Sequence, residues 1–494
     1  MSSRPFSYTQ LGLALAAGLA LRLFFIWHFP FYSGDTKFYE ELARNWLEHG
    51  VYGLYVRGAL TSVDMRVPGY PAFLAAVYFV IGRSARVVMV AQAFVDLATC
   101  VLAALIVARL APVSRRTVAG TAALWMAALC PFTADYTAVV LTETLATFFT
   151  TAAVLVFVHF VAAVAVDVPE RAASDSSARG KAVSIASWFL LLGFIAGLGT
   201  LVRPETPLVL AAVGVALCIR WSRPANWPKL VLATCWMCAG LLLPLAPWAA
   251  RNARTFGRVE FLGPRYAQTY GDFIPRGYFA WTQTWMTRFG EAYLVTWSLG
   301  NQPISIRAIP ASAFASDAER AQVAGLLARY NSDFKMMPLL DREFANLAAE
   351  RTARNPLRTY IFVPAGRIAA MWLTPRIELL PYSGKLWPPG ERWRGNPTDF
   401  GVTAGFGILN ILYLVLAVIG WWRCRANSAV AFLVLLVAIR TVAMTQLQTV
   451  EPRYVIECFP AIVALGALAW ASPPRDAKSN QDLSRAPTVA GSCG

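Results

Sequence analysis

Residues 31–53 read FYSGDTKFYEELARNWLEHGVYG and follow directly on the apolar run Leu11 to Phe29. Within them Tyr39, Leu42, Ala43, Trp46 and Leu47 recur at i, i+3, i+4, i+7 and i+8, one stripe of a helix. Lys37, Glu40, Glu41, Arg44, Asn45 and Glu48 take the opposite face. The pattern predicts a helix from Thr36 to His49 that lies in a membrane interface, with Tyr and Trp at headgroup depth and Gly50 ending it. Asp35 stands where such a helix takes its N-cap. A carboxylate there also faces the membrane surface, where it could deprotonate a hydroxyl. The two roles are compatible, because a helix terminus holds a carboxylate in place. The helix dipole favours its ionised form.

The run before this stretch is one of many. Of 494 residues 57% are hydrophobic and 15% charged, against about 25% charged in soluble chains. A bilayer takes about 20 apolar residues to cross. Spans are expected at 10–29, 87–110, 117–134, 138–166, 184–202, 205–221, 229–249, 399–422, 428–446 and 454–472. No small-residue cleavage site follows the first, which reads as a retained helix. The chain is therefore expected to be an all-α polytopic membrane protein. Its net charge of +16 is spread along the chain, which fits anionic lipid and not nucleic acid. The cysteines sit mostly in apolar segments; Cys235 and Cys238 form C-x-x-C inside a span and read as small core residues. The three histidines are scattered, so no metal centre is expected.

Arg109, Arg115 and Arg116 share one short loop, Arg220, Arg223 and Lys229 another, Arg423 and Arg425 a third, and Arg171, Arg179 and Lys181 the loop 167–182. The positive-inside rule places these loops in the cytoplasm with the N-terminus. The same threading puts 30–86 and 251–398 outside. Four regions follow: a transmembrane module over 1–250 that includes the loop 30–86, an external or interfacial segment over 251–398, C-terminal spans over 399–472, and a polar, disordered tail over 473–494. The 15-residue stretch 68–82 is short for a span and suits an interfacial or re-entrant helix. Residues 356–375, with interior prolines and arginines, read as an interfacial helix, with a further pair of short spans as the alternative. Tyr266, Tyr270, Phe273, Tyr278, Trp281 and Trp285 cluster after the seventh span, where aromatic faces suit membrane interfaces and sugar rings alike.

Several motifs lie on the external side. Asp64 to Pro71 read DMRVPGYP, a constrained turn carrying Arg66 and Tyr70. Arg66 fits a snorkelling arginine or a phosphate ligand. Thr142-Glu143-Thr144-Leu145 opens a span, and an acid there is costly enough to suggest a function. Arg203 and Glu205 sit at a turn and could pair with each other; Arg453 could pair with Glu451. Asp96 and Arg440 are further intramembrane charges, with Asp96 expected to meet another polar group in the bundle.

Taken in order, these motifs resemble the GT-C superfamily of membrane glycosyltransferases. The resemblance is to the polyprenyl-phosphate-sugar branch: the dolichyl-phosphate-mannose protein mannosyltransferases and the lipid A aminoarabinose and galacturonic acid transferases (families 39 and 83). It rests on Asp35 after the first span, R-x-P-G-Y-P from Arg66 to Pro71, Thr142-Glu143-Thr144-Leu145, Leu201-Val202-Arg203-Pro204-Glu205, Pro247-Trp248 with Arg251-Asn252 and Phe256-Gly257, and Arg453-Tyr454. It covers about 10–260 and, more loosely, 400–470. It implies a GT-C fold with about 10–13 membrane helices, interfacial helices in the first external loop and a small external segment. It further implies an inverting transferase in a bacterial inner membrane, with its site on the periplasmic face. The expected partners are a polyprenyl-phosphate sugar donor, an envelope acceptor (glycolipid such as lipopolysaccharide, polysaccharide or protein) and the bilayer. On that pattern Asp35 is the base, and Glu143 orients acceptor or donor sugar. Arg66, Tyr70, Arg203, Glu205, Arg251, Arg453 and Tyr454 bind substrate. No cofactor is required, although a divalent cation stays open. The chain has no G-x-x-x-x-G-K-[ST] loop and no D-x-D. A flippase of lipid-linked sugars and an inactive scaffold on the same fold are the alternatives. The flippase is disfavoured by the absence of two related halves and by charges gathered at the external rim.

Overall fold

The computed structural model describes residues 5–166, 175–263 and 273–471. Arg171, Tyr266, Tyr270 and the tail from 473 fall outside them. The described chain is helical apart from one hairpin. Among the described residues six helices are long and apolar enough to cross a membrane: Tyr8–His28 (α1), Ala85–Leu110, Glu143–Ala163, Pro224–Phe256, Pro397–Cys424 and Pro452–Trp470. Val113–Ala128 and Pro131–Ala138, bent by 47°, form a seventh if taken as one span. The expected spans 184–202, 205–221 and 428–446 correspond to the shorter apolar helices Ile185–Thr200, Leu208–Arg220 and Ser428–Met444. Each of the ten expected spans thus has a helix. The helix Trp227–Phe256 runs past the boundary expected at 250.

Small residues let the helices approach. A Cβ on Gly193 would come within 2.1 Å of the Met237 carbonyl oxygen, and one on Gly240 within 2.2 Å of that of Leu190. Between membrane helices such close packing replaces the missing hydrophobic drive. Cys235 and Cys238 lie on the same helix but face outward, exposed and unbonded to each other. They are not core residues, because glycines and Met237 take the packed face.

The first external loop departs from expectation in detail. Its helix, α2, is Gly34–His49. Its N-cap is Ser33, in a capping box with Thr36, so Asp35 sits inside the first turn and is not the cap. Gly50 ends the helix at φ +67°, as expected. The face opposite the apolar stripe is in part packed. Asn45 is wholly buried and donates to the Gly53 carbonyl at 2.8 Å, while Glu41 accepts the Tyr55 amide at 2.8 Å. What these residues meet is a hairpin that the sequence reading passed over, Gly53–Val56 (β1) and Ala59–Ser62 (β2). Its two-residue turn, Arg57-Gly58, has φ of +52° and +83°, the sign pattern that hairpin twist demands. The short helix Gly69–Val80 (α3) then packs back on α2.

The segment after Phe256 holds its own apolar core. Tyr278, Trp281 and Trp285 are buried in it with Phe344. They serve as packing and not as an interface or a sugar platform, because the helix Pro338–Arg354 covers them. Arg367, expected on an interfacial helix, is also buried; it donates to the carbonyls of Met286 at 2.8 Å and of Thr445 and Leu447, each at 2.7 Å.

Candidate active site

Three chain segments meet at one end of the bundle. Thr36 at the start of α2 donates to the Val140 carbonyl at 3.2 Å, and the Phe31 amide donates to Ala138 at 3.0 Å. Asp35 is thereby set above the start of the Glu143–Val166 helix. The Gly69 amide donates to the Leu201 carbonyl at 2.6 Å, and a Cβ at Gly69 would meet that oxygen at 2.5 Å. Only glycine lets the R-x-P-G-Y-P turn close on the segment that carries Arg203. The third segment is the turn Pro452–Cys458, tied to the Glu143 helix by Thr150 donating to Glu457 at 3.0 Å.

The charges form one connected cluster with an open tier and a buried tier. In the open tier, Arg66 Nη2 lies 2.7 Å from Asp35 Oδ1 and Arg453 Nη1 lies 3.7 Å from Asp35 Oδ2; the three side chains are 34%, 23% and 28% exposed for Arg66, Arg453 and Asp35. Arg66 adopts φ +62°, a left-handed conformation that costs a non-glycine residue about 1–3 kcal/mol. Tyr52 holds it there, its hydroxyl donating to the Arg66 carbonyl at 3.1 Å. Burial raises the Asp35 carboxyl, but the guanidiniums of Arg66 and Arg453 outweigh it and hold the group below its ordinary value. Tyr39 lies under Arg66, 6.0 Å from guanidinium to ring centroid; burial pushes its phenol up to about 12.

Beneath lies the second tier. Glu143 is 2% exposed and pairs with Arg203 at 2.8 Å and with Arg453 at 3.8 Å. Arg203 also reaches Glu457 at 3.5 Å and, more loosely, Glu205 at 3.8 Å. The expected Arg203–Glu205 pairing is thus secondary to Glu143. Arg453 pairs with Glu451 at 2.5 Å, and Tyr454 donates to the same carboxylate at 2.7 Å. Arg440 pairs with Glu457 and donates to the Tyr454 carbonyl at 3.0 Å.

Two expected substrate residues stand apart from this cluster. Tyr70 is fully buried, its hydroxyl on Gln92 at 2.6 Å. Arg251 donates to the carbonyls of Val63 at 2.8 Å and Tyr52 at 2.9 Å and lies over the Trp248 ring at 5.0 Å. Both contacts are with the protein itself. Asp96 meets Arg22 of α1, with Nε at 2.9 Å. Glu457 is a member of the cluster that the sequence reading passed over; Glu451 enters it as the expected partner of Arg453, and Tyr39, expected at headgroup depth, lies under Arg66 instead. An acid inside the last apolar run was the available signal for Glu457, the same signal that singled out Glu143.

Every carboxylate of the cluster is paired with a guanidinium, and among the described residues no three His, Cys, Asp or Glu side chains are placed to share an ion.

No protein-family model matches the sequence, and no curated protein matches it. Solved structures similar to the chain include the oligosaccharyltransferase AglB from Archaeoglobus fulgidus in complex with an inhibitory peptide and a dolichol-phosphate, at 11% identity and a TM-score of 0.48 over 98% of this chain and 52% of that one. A structure of the A. fulgidus oligosaccharyltransferase with Zn and sulfate gives 13% and 0.44 over 93% and 48%. ArnT from Cupriavidus metallidurans bound to undecaprenyl phosphate gives 12% and 0.37 over 93% and 77%. The chain spans about half the length of the archaeal enzyme. At these identities and scores the likeness transfers no residue role.

Proposed function

We propose that the protein is an inverting glycosyltransferase that moves a sugar from a polyprenyl-phosphate donor to an envelope acceptor at the external membrane face. The observation that carries this reading is Asp35, part-exposed and gripped between Arg66 and Arg453. A lipid phosphate brings the charge those guanidiniums need, and displaces the carboxylate from them. Asp35, freed, takes the proton of an acceptor hydroxyl as its oxygen attacks the anomeric carbon. The new C–O bond forms as the bond to the phosphate oxygen breaks, on opposite faces of the carbon, so configuration inverts. The polyprenyl phosphate departs with its negative charge held by the two arginines. Glu143, buried, positions Arg203 and Arg453 and does not touch substrate.

The external placement is supported by the opposite end of the bundle. There Asn427 donates to the Leu110 carbonyl at 3.5 Å and Arg423 to that of Ala469, so two of the basic loops lie together, away from the cluster. Positive loops mark the cytoplasmic side. The test is transfer by purified protein in nanodiscs, using a radiolabelled panel of polyprenyl-phosphate sugars, with native mass spectrometry of lipid retained on purification. Retained lipid phosphate and turnover with one donor are expected. Turnover with no member of the panel would sink the reading.

A further inference from the structure

Of the aromatics singled out in the sequence, Tyr278, Trp281 and Trp285 are buried, but the next three in the chain are not. Phe289, Tyr293 and Trp297 fall at i, i+4 and i+8, and their rings pack edge to face: Tyr293 to Trp297 at 4.1 Å between centroids, Phe289 to Tyr293 at 5.3 Å. Tyr293 is 53% exposed and Trp297 39%. The mount is rigid. Glu291 accepts the amides of Thr287 at 2.8 Å and Arg288 at 3.0 Å and so fixes the start of the Phe289–Val295 helix. Ser298 donates to the Tyr293 carbonyl at 2.8 Å and fixes its end. Ala292 and Val295, on the other face, are fully buried.

This mount is also joined to the catalytic turn. Gln283 donates to the Gln446 carbonyl at 2.8 Å, and Arg367 clamps Met286 to Thr445 and Leu447. That loop leads directly into Glu451 and Arg453. Burial raises the Tyr293 phenol, with Glu451 raising it further and Arg453 lowering it.

We propose that Tyr293 and Trp297 form a stacking wall for the sugar ring of the donor, beside the arginine that holds its phosphate. The proposal rests on the glycosyltransferase reading and adds the residues that would select the sugar. A pyranose ring offers a face of C–H groups that suits an aromatic face. The ring sits one bond from the phosphate, which Arg453 fixes, so a rigid aromatic wall near Arg453 meets the sugar and not the polyprenyl chain.

The test compares wild type, Tyr293→Ala, Trp297→Ala and Tyr293→Phe in nanodiscs. Affinity is measured for undecaprenyl phosphate alone and for undecaprenyl phosphate carrying mannose, galacturonic acid or aminoarabinose. Each alanine variant is expected to bind the preferred sugar-bearing lipid about two- to tenfold more weakly, the worth of one aromatic contact. Binding of bare undecaprenyl phosphate should not change, and Tyr293→Phe should match wild type. Equal affinities across all four proteins would overturn the proposal alone. So would equal weakening toward the bare lipid, or an effect confined to the acceptor KM. Wild type that binds no lipid phosphate at all would overturn the glycosyltransferase reading with it.

Discussion

Replacing Asp35 by Asn separates chemistry from architecture at the point where they meet. The helix start does not depend on the carboxylate, because Ser33 and Thr36 cap it. The ion pairs that are lost, to Arg66 at 2.7 Å and Arg453 at 3.7 Å, join side chains 23–34% exposed. Pairs so open to solvent contribute about 0–1 kcal/mol. A positioned general base contributes about 10²–10⁴ in rate, which is about 2.7–5.5 kcal/mol of barrier. Asp35→Asn should therefore lower kcat at least a hundredfold while unfolding within about 1 kcal/mol of wild type. Its donor KM should stay level or fall, because the phosphate no longer competes with a carboxylate for the two arginines. The assay is initial-rate transfer in nanodiscs, with the donor identified from retained lipid, alongside unfolding in mixed micelles. Turnover within tenfold of wild type would refute the base assignment. A tenfold rise in donor KM at unchanged kcat would make Asp35 a binding group instead.

The pH dependence carries a sign. Asp35 has a lowered pKa in the free protein, so it stays ionised until the pH falls below the ordinary carboxylate value of about 3.9. Any stability from its pairs is likewise present above that value and lost as pH falls through the lowered one. The acid limb of kcat/KM should lie below pH 4, and that of kcat, measured with donor on the arginines, should lie higher; a kcat/KM limb above pH 5 would contradict this. Within the buried tier, Arg203→Ala leaves Glu143 only the looser Arg453 contact at 3.8 Å and should cost about 3–5 kcal/mol. Glu143→Gln still accepts from Arg203 and should cost about 1–2 kcal/mol; the reverse order in SDS titrations would refute the tiering. Arg66→Gly relieves the φ of +62° and should leave stability level or raised while transfer falls at least tenfold, read by rate and thermal unfolding. Arg251→Ala removes two bonds to hairpin-flanking carbonyls and should speed proteolysis at Arg57-Gly58 with a stability loss of about 1–3 kcal/mol.

The sequence carried the spans and seven members of the cluster, Asp35, Arg66, Glu143, Arg203, Glu205, Arg453 and Tyr454, because each rests on a local signal: an apolar run, or a charge or motif at the end of one. What it hid depends on partners distant in sequence. The Arg22–Asp96 pair joins residues 74 apart, and nothing at either position announces the other. The burial of Asn45 was hidden because helical periodicity says which residues share a face and not what covers that face. The hairpin was concealed by its turn, Arg57-Gly58, which lacks the Asn or Asp that signals such loops most strongly. The aromatics of the external segment were legible as a cluster, but exposure separates Trp281 from Trp297, and only the fold assigns exposure.

The cluster's charge count bears on how the site works. Five carboxylates, Asp35, Glu143, Glu205, Glu451 and Glu457, meet four guanidiniums, Arg66, Arg203, Arg440 and Arg453. Among the described residues each of these guanidiniums already holds a carboxylate, so an incoming phosphate takes arginines from existing partners. Arg203 and Arg440 are at most 10% exposed and bound to buried acids, so pulling either away would leave a buried carboxylate unpaired at a cost of several kcal/mol. Arg66 has only the part-exposed Asp35 as its ion-pair partner among the described residues, and Arg453 touches that same acid at its outer edge. The exchange is therefore cheapest at Asp35. On the proposed function, the carboxylate that loses its arginines to the phosphate is the one then needed as a base, so donor binding and base activation become one event. A donor-first order follows: an acceptor arriving alone would meet a carboxylate still held by two cations.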